Sequence, residues 1–308
     1  MPERKCRIGL VGARGHVGAE LVRLLAAHPR FEIDFVSSRA LAGQPVPDAN
    51  GLCFEDLAPD AVAKRQLDAL VLALPNDLSE PYVQAVAREL LIVDLSADHR
   101  FDDDWAYGLP EHFRDAIRRA HRISNPGCYS TAAQLALKPI ASELDAPPAL
   151  FAVSGYSGAG TTPSPRNDVE RLRDNLMPYA LIGHVHEREI ERHLGREVHF
   201  MPHVAPFFRG LTITIDCMLA ASTSTNALLD RYRERYDGER LVRIQDDAPL
   251  VRDAAGRHDA SIGGFEADGR RAVMVVTLDN LLKGAATQAL QNLNLALGIE
   301  EHCGLSEA

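Results

Sequence analysis

The sequence predicts an α/β chain: a doubly wound parallel sheet first, then a second domain on an antiparallel or mixed sheet. Three observations predict it. Short apolar runs alternate with helical patterns over the first hundred residues. A glycine-rich loop closes the first of those runs. After about residue 148 the character changes, and the run Leu211–Leu219 alternates cleanly, which suits a strand with one open face.

The elements follow in order. Arg7–Val11 is a strand, and Val17–Ala27 is a helix with Val17, Leu21, Leu24 and Leu25 on one face. Phe31–Val36 is the second strand. Ala69–Leu74 is continuously apolar, as a strand buried on both faces must be. Pro81–Leu90 reads as a helix and Leu91–Leu95 as another buried strand. Ala132–Leu137 is a helical run of Ala and Leu, preceded by the breakers Pro126 and Gly127. Leu150–Val153 is apolar and enters a Gly-rich loop. Gly183–Glu191 is helix-like, and Val198–Met201 is a strand. Leu211–Leu219 alternates cleanly through Leu211, Ile213, Ile215, Cys217 and Leu219. Ala272–Leu278 is the last strand, and Leu281–Leu297 is a long helix closed by Gly298.

The chain has 308 residues, enough for two domains. Lys and Arg number 33 against 43 Asp and Glu, a formal charge of −10. That leaves no broad electrostatic footprint for nucleic acid or anionic membrane. No apolar run approaches a membrane span, and no signal peptide opens the chain. Five scattered cysteines without a Cys-x-x-Cys pair argue against a disulfide framework or a zinc site, and for a reducing, cytoplasmic setting. No metal is expected.

The first strand runs into Gly12-Ala13-Arg14-Gly15-His16-Val17-Gly18. Glycines at this spacing, between strand and helix, let a pyrophosphate approach the backbone at a helix N-terminus. The loop residues Gly12, Arg14, Gly15, His16, Val17 and Gly18 are therefore the candidate cofactor cradle. The second strand ends at Ser37-Ser38-Arg39. A Rossmann domain selective for NAD places an acidic residue here, whereas an arginine with hydroxyls suits a 2′-phosphate. NADP(H) is expected over NAD(H), with Asp34, inside the strand, as the rival.

Cys128 falls at a helix start, in Ser124-Asn125-Pro126-Gly127-Cys128-Tyr129. Unpaired N–H groups and the helix dipole lower a thiol pKa there, so Cys128 is the candidate nucleophile. Cys6, Cys53, Cys217 and Cys303 read as packing residues. A thiolate beside a nicotinamide suggests attack on an acyl carbon and hydride reduction of the thioester. His184 and His186 are the candidate acid/base groups. Two residues apart, they cannot share one helix face.

Several runs together resemble those of the N-acetyl-gamma-glutamyl-phosphate reductases, in their shorter form. They are Asp94-Leu95-Ser96-Ala97-Asp98-His99-Arg100, Tyr107-Gly108-Leu109-Pro110-Glu111, Asn125-Pro126-Gly127-Cys128-Tyr129, Ser154-Gly155-Tyr156-Ser157-Gly158-Ala159-Gly160, His184-Val185-His186, Pro202-His203 with Arg209-Gly210, and Asp279-Asn280-Leu281-Leu282-Lys283-Gly284-Ala285. The resemblance implies a Rossmann NADP-binding domain, residues 1–128 with 283–308, and a glyceraldehyde-3-phosphate-dehydrogenase-like α+β catalytic and oligomerisation domain, residues 129–282. It implies NADPH-dependent reduction of N-acetyl-L-glutamyl 5-phosphate, in arginine biosynthesis, by a homodimer or homotetramer. The nucleophile maps onto Cys128 and the acid/base onto His184, with His186 in reserve. Pro75, Ser96 and Asn280 would line the cofactor cleft. Asn125, Ser157 and Gly158 would meet the substrate, with Asn125 helping the backbone N–H groups hold the oxyanion.

The chain departs from the family at Val185 and Arg188, where arginine and proline stand. It also carries Thr161–Arg166 where longer forms place a basic residue, so Arg166 or Arg209 takes the charge on the substrate. The rival readings are an aspartate-semialdehyde dehydrogenase, a lysine-pathway acyl-phosphate reductase, and a non-catalytic NADP(H)-binding sensor.

Overall fold

The first apolar run becomes the middle of a seven-stranded sheet. Its strands are β1 (Cys6–Val11), β2 (Phe31–Ser37), β3 (Phe54–Glu55), β4 (Ala69–Leu72), β5 (Leu91–Asp94), β6 (Ala106–Tyr107) and β7 (Arg122–Ser124). They pair in parallel in the order β3-β2-β1-β4-β5-β7-β6. The computed structural model describes residues 4–49 and 51–305. The chain divides into two units, Met1–Pro126 with Ala285–Glu307, and Gly127–Gly284.

Burial on both faces explains the continuously apolar runs. Every residue of β4 and β5 is buried. Successive side chains point to opposite sides, so Ile8, Leu10, Ala69, Val71, Leu91 and Val93 join one core. Val11, Leu70, Leu72 and Ile92 join the other. The C-terminal helix Thr287–Ala296 returns to the first core through Ala289, Leu290 and Leu293. Each of these leucines, fully buried, contributes about 1.5–3 kcal/mol.

The second unit holds β8 (Ala149–Gly155), β9 (Met177–Pro178), β10 (His199–Ala205), β11 (Leu211–Met218), β12 (Val242–Ile244), β13 (Ala260–Asp268) and β14 (Arg271–Leu278). Their order is β12-β13-β14-β11-β8-β10-β9. β8 runs parallel to β10 and antiparallel to β11, so the sheet is mixed. The helices Cys128–Leu137 and Thr225–Arg235 cover one face. Along β11 the residues alternate between buried Leu211, Ile213, Ile215 and Cys217 and more exposed Thr212, Thr214, Asp216 and Met218. Phe151 and Met218 stand exposed on the uncovered face.

Several elements differ in extent from the sequence expectation, three of them for a visible reason. β4 ends at Leu72, because Ala73 already turns the chain, its N–H bonded to the Val11 carbonyl. The predicted helix Pro81–Leu90 is only Glu80–Ala85, and Val86 is already extended. The predicted helix Leu281–Leu297 opens as a π-helical turn, Leu282–Ala286, before the α-helix. Asp279 sets that start: its Oδ1 accepts the N–H groups of Leu281 (2.8 Å) and Leu282 (3.1 Å). The wide turn carries Gly284 against Cys128, and a Cβ at 284 would lie 2.6 Å from the Cys128 Cβ. Gly298 ends the helix with φ of +68°, as expected. Among the described residues no helix is long and apolar enough to cross a membrane.

Candidate active site

In the first unit the strand order reverses between β1 and β4, the place where open parallel sheets bind ligands at their carboxyl ends. The glycine loop lies there. Gly12 has φ of +89°, and a Cβ on it would collide with the Ala73 carbonyl. A Cβ on Gly18 would lie 2.6 Å from the Ala13 Cα. Gly15 is different: a Cβ there would meet only the Gly12 carbonyl, at 3.9 Å. The chain's own packing requires Gly12 and Gly18, but not Gly15. At Gly15 the open space fits an incoming phosphate, which a side chain would fill. The helix His16–Ala27 begins there without a side-chain cap, so its first turn presents N–H groups to that space. Burial lowers the pKa of His16, which favours an uncharged ring at the mouth of the loop. Arg14 is exposed on the same turn and Val17 half-buried.

Ser37 and Ser38 are buried at the end of β2, and Arg39 is 91 % exposed beside Asp56 at 3.9 Å. Asp34 is removed as a ribose ligand, because Arg7 and Arg65 both pair with it. Pro75 is exposed on the segment after β4. Ser96, by contrast, is buried. Its hydroxyl donates to Asp94 (2.6 Å) and accepts the Asp98 N–H (3.1 Å), so it shapes the loop.

Asn125 is held on all sides by its own unit. Its Nδ2 donates to the Ala285 carbonyl (3.3 Å) and its Oδ1 accepts from Asn292 (3.0 Å). Its carbonyl takes the Arg100 Nε (2.9 Å) and its N–H donates to Asp94 (2.7 Å). One N–H of the amide and its oxygen are thus engaged within the first unit.

In the second unit Cys128 is the first residue of the helix Cys128–Leu137, with Gly127 as an N-cap that offers no side chain. No acidic residue occupies the first turn of the helix itself, and its uncapped N–H groups and dipole favour the thiolate. Burial instead drives the Cys217 thiol up to about 11 and raises that of Cys6, as suits packing residues.

Around this helix start the structure gathers two histidines, two tyrosines and an arginine. The rings of His184 and His186 lie 4.9 Å apart, His184 is 5.4 Å from Tyr179, and His186 is 5.8 Å from Tyr129. Arg166 stacks over Tyr179 at 5.0 Å. Two residues apart, the histidines still meet because His184 is outside the helix. It is the N-cap of Val185–Leu194, and its Nδ1 accepts the His186 N–H at 3.0 Å.

That bond changes the reading of His184. With Nδ1 accepting, the neutral ring carries its proton on Nε2 and can only donate there. Burial, then Arg166, lowers its pKa to about 4. His184 is therefore a neutral donor at pH 7, which suits it to donate to or orient an oxygen rather than to accept a proton. Tyr179 is held protonated, its pKa raised to about 12 by burial and then by the Cys128 charge. Tyr129 is buried and donates to the His203 carbonyl at 2.9 Å.

The remaining candidates form a second group on the same unit. Asn280 donates to the Ser157 Oγ (2.9 Å) and accepts the Gly210 N–H (2.7 Å). Arg209 pairs with Asp279 at 2.5 Å. Ser157 is buried, whereas Gly158 and Arg166 are exposed. Asn280, expected at the cofactor, thus holds two loops of the catalytic unit in register.

Sequence reasoning missed Tyr179, Glu189 and Asp279 as site residues. Glu189 was legible only as one member of the helix-like run Gly183–Glu191. Tyr179 lies in no motif, and only the β9–β10 pairing brings it in.

The chain matches two family models, the semialdehyde dehydrogenase NAD binding domain over residues 7–120 and the semialdehyde dehydrogenase dimerisation domain over residues 128–280. It is 55% identical over 304 residues to an N-acetyl-gamma-glutamyl-phosphate reductase of Stenotrophomonas maltophilia, which covers 96% of each chain. It is also 55% identical over 304 residues to one from Xanthomonas campestris, again over 96% of each. Among solved structures, aspartate semialdehyde dehydrogenase II of Vibrio cholerae, complexed with ASA, aligns with a TM-score of 0.78. It is 18% identical and covers 96% of this chain and 99% of that one, a likeness of fold.

Proposed function

The chain belongs to the N-acetyl-gamma-glutamyl-phosphate reductases, and from that premise we propose how its residues divide the work. It reduces N-acetyl-L-glutamyl 5-phosphate to the 5-semialdehyde and inorganic phosphate, in arginine biosynthesis, with NADP(H) as cofactor. NADPH, when bound, supplies the hydride. The observation that carries the residue assignment is Cys128 at an uncapped helix start among two histidines.

His186 takes the proton of the Cys128 thiol. The thiolate attacks the acyl carbon, the bond from that carbon to the bridging oxygen breaks, and the departing phosphate, which keeps that oxygen, receives the proton from His186. After reduction of the thioester, the thiohemiacetal oxygen is held by N–H groups of the Cys128 helix start and by the Nε2–H of His184. Its collapse to the aldehyde breaks the C–S bond and restores the thiolate. Tyr179 and Arg166, stacked together, are donors suited to an anionic group of the substrate, and Ser157 with Gly158 forms the adjoining loop. Arg209 supports that loop through Asp279.

The glycine loop, Ser37, Ser38 and Arg39 hold the cofactor, with Pro75 beside them. Arg39→Ala is expected to raise the KM for NADPH by about 10-fold or more, from loss of one charged contact, and leave kcat/KM with NADH within about twofold. Steady-state kinetics with the two cofactors checks it. An equal loss with both would remove Arg39 from the 2′-phosphate.

The two units support a cofactor domain and a catalytic domain, with the boundaries moved to Pro126 and Ala285, so that Cys128 and Gly284 belong to the catalytic one rather than to the expected 1–128 and 283–308. The uncovered face of the second sheet, with Phe151 and Met218, supports assembly as a homodimer or homotetramer, in keeping with the dimerisation-domain match. Cysteines outside disulfides support a cytoplasmic location. Phosphate-dependent reduction of NADP+ with N-acetylglutamate semialdehyde tests the reading. Absence of phosphate dependence overturns it and favours a binding protein.

A further inference from the structure

We propose that Glu189 is a positioning residue of this reaction: its carboxylate docks the histidine helix onto the first turn of the thiol helix, and its charge steadies the protonated histidine. The proposal rests on the reading of Cys128 as nucleophile. Glu189 lies in the helix Val185–Leu194 and is 0 % exposed. Its Oε1 accepts the N–H of Gly127 at 2.9 Å. Gly127 is the residue that caps the Cys128 helix, so this bond fixes where the thiol begins relative to the histidines.

The charge is the informative part. Burying a carboxylate costs several kcal/mol before compensation. A glutamine in the same place would accept the same N–H without that cost. The excess charge therefore calls for a group that gains from it. Glu189 stands three residues after His186, so the two share one face of the helix. A histidine that takes the thiol proton becomes a cation on that face, beside a fixed anion. The carboxylate also sits by the positive end of the thiol helix, which offsets part of its burial. Other titratable or charged groups surround the pair. Tyr129 comes from the thiol helix, Tyr179 from the end of β9, and Arg166 from the loop before it. His184 and Glu187 come from the start of the histidine helix, and Lys283 from the turn that packs on Cys128. None of these changes in the variants below.

Removing one negative charge disfavours bound protons on every neighbour, thiol and histidine alike. The rate of iodoacetamide alkylation of Cys128 against pH reads this directly on the full chain. In Glu189→Gln, which keeps the acceptor and loses the charge, the midpoint is expected to fall by about 0.5–1 pH unit. In the same variant kcat is expected to fall about 10- to 100-fold with KM within about threefold. Glu189→Asp keeps the charge in a shorter side chain and is expected to restore the midpoint while kcat stays reduced. An unchanged midpoint and unchanged kcat in Glu189→Gln overturn the proposal, as does a Glu189→Asp midpoint that stays low. Alkylation needs no acyl phosphate, so it judges Glu189 even if the assigned substrate fails.

Discussion

Cys128→Ser is expected to lose turnover, with kcat lower by at least roughly 10⁴-fold, while the Kd for NADPH stays within about threefold. In the proposed mechanism the thiolate attacks, and a serine hydroxyl at the same helix start stays protonated at neutral pH. A helix dipole and a neighbouring imidazole bring a thiol into the working range, but they leave an alcohol many pH units short of it. The cofactor loop, Gly12 to Gly18, belongs to the other unit, so the substitution leaves its backbone donors untouched. Phosphate-dependent NADP+ reduction and a nucleotide fluorescence titration separate the two effects. Near-normal activity would refute the nucleophile, and a matching loss of NADPH affinity would point to misfolding.

Asp279→Ala is expected to produce the largest loss of stability, about 3–5 kcal/mol. The Asp279 carboxylate is fully buried and makes four hydrogen bonds. Oδ1 takes the N–H groups of Leu281 and Leu282, and Oδ2 takes those of Gly256 (2.6 Å) and the Arg209 Nε (2.5 Å). Four acceptor sites are all a carboxylate has. Alanine leaves three backbone donors and a guanidinium without that acceptor, in a place water does not reach. Thermal melts of the full chain should drop by roughly 10 °C. Asp279→Asn keeps the shape and part of the bonding, so its loss should be the smaller. A melt within about 1 °C of the parent for Asp279→Ala would show that the site relaxes around the gap. In the folded fraction the KM for acyl phosphate should rise, since Arg209 and the Ser157 loop lose their common anchor.

Much of the site was legible because it depends on local chain chemistry. Gly12-x-x-Gly15-x-x-Gly18 reads as a phosphate loop since a strand, a turn and a helix start are all encoded within a dozen residues. Cys128 reads as a nucleophile since Pro126 and Gly127 announce the helix start beneath it. Arg39 and the rivalry with Asp34 were visible, but the outcome was not. Asp34 is removed by Arg7 and Arg65, residues far along the chain. The histidines were visible as candidates, but their contact was not: His184 caps the helix from outside it, so a separation of two still brings the rings together.

The strand and helix order, the division into two units and the helix start at Cys128 are encoded locally, because periodicity and turn chemistry are short-range. Tertiary structure decided the rest. Pairing of β9 with β10 brought in Tyr179, and the Gly127 bond gave Glu189 a role. The amide of Asn125 went to the C-terminal segment, and Asp279 gathered three loops. These are hydrogen bonds between residues 60 or more apart in sequence or between separate loops, and a buried polar group takes whichever partner the fold delivers. No local pattern specifies that partner, so a residue's type can be read in advance while its engagement cannot.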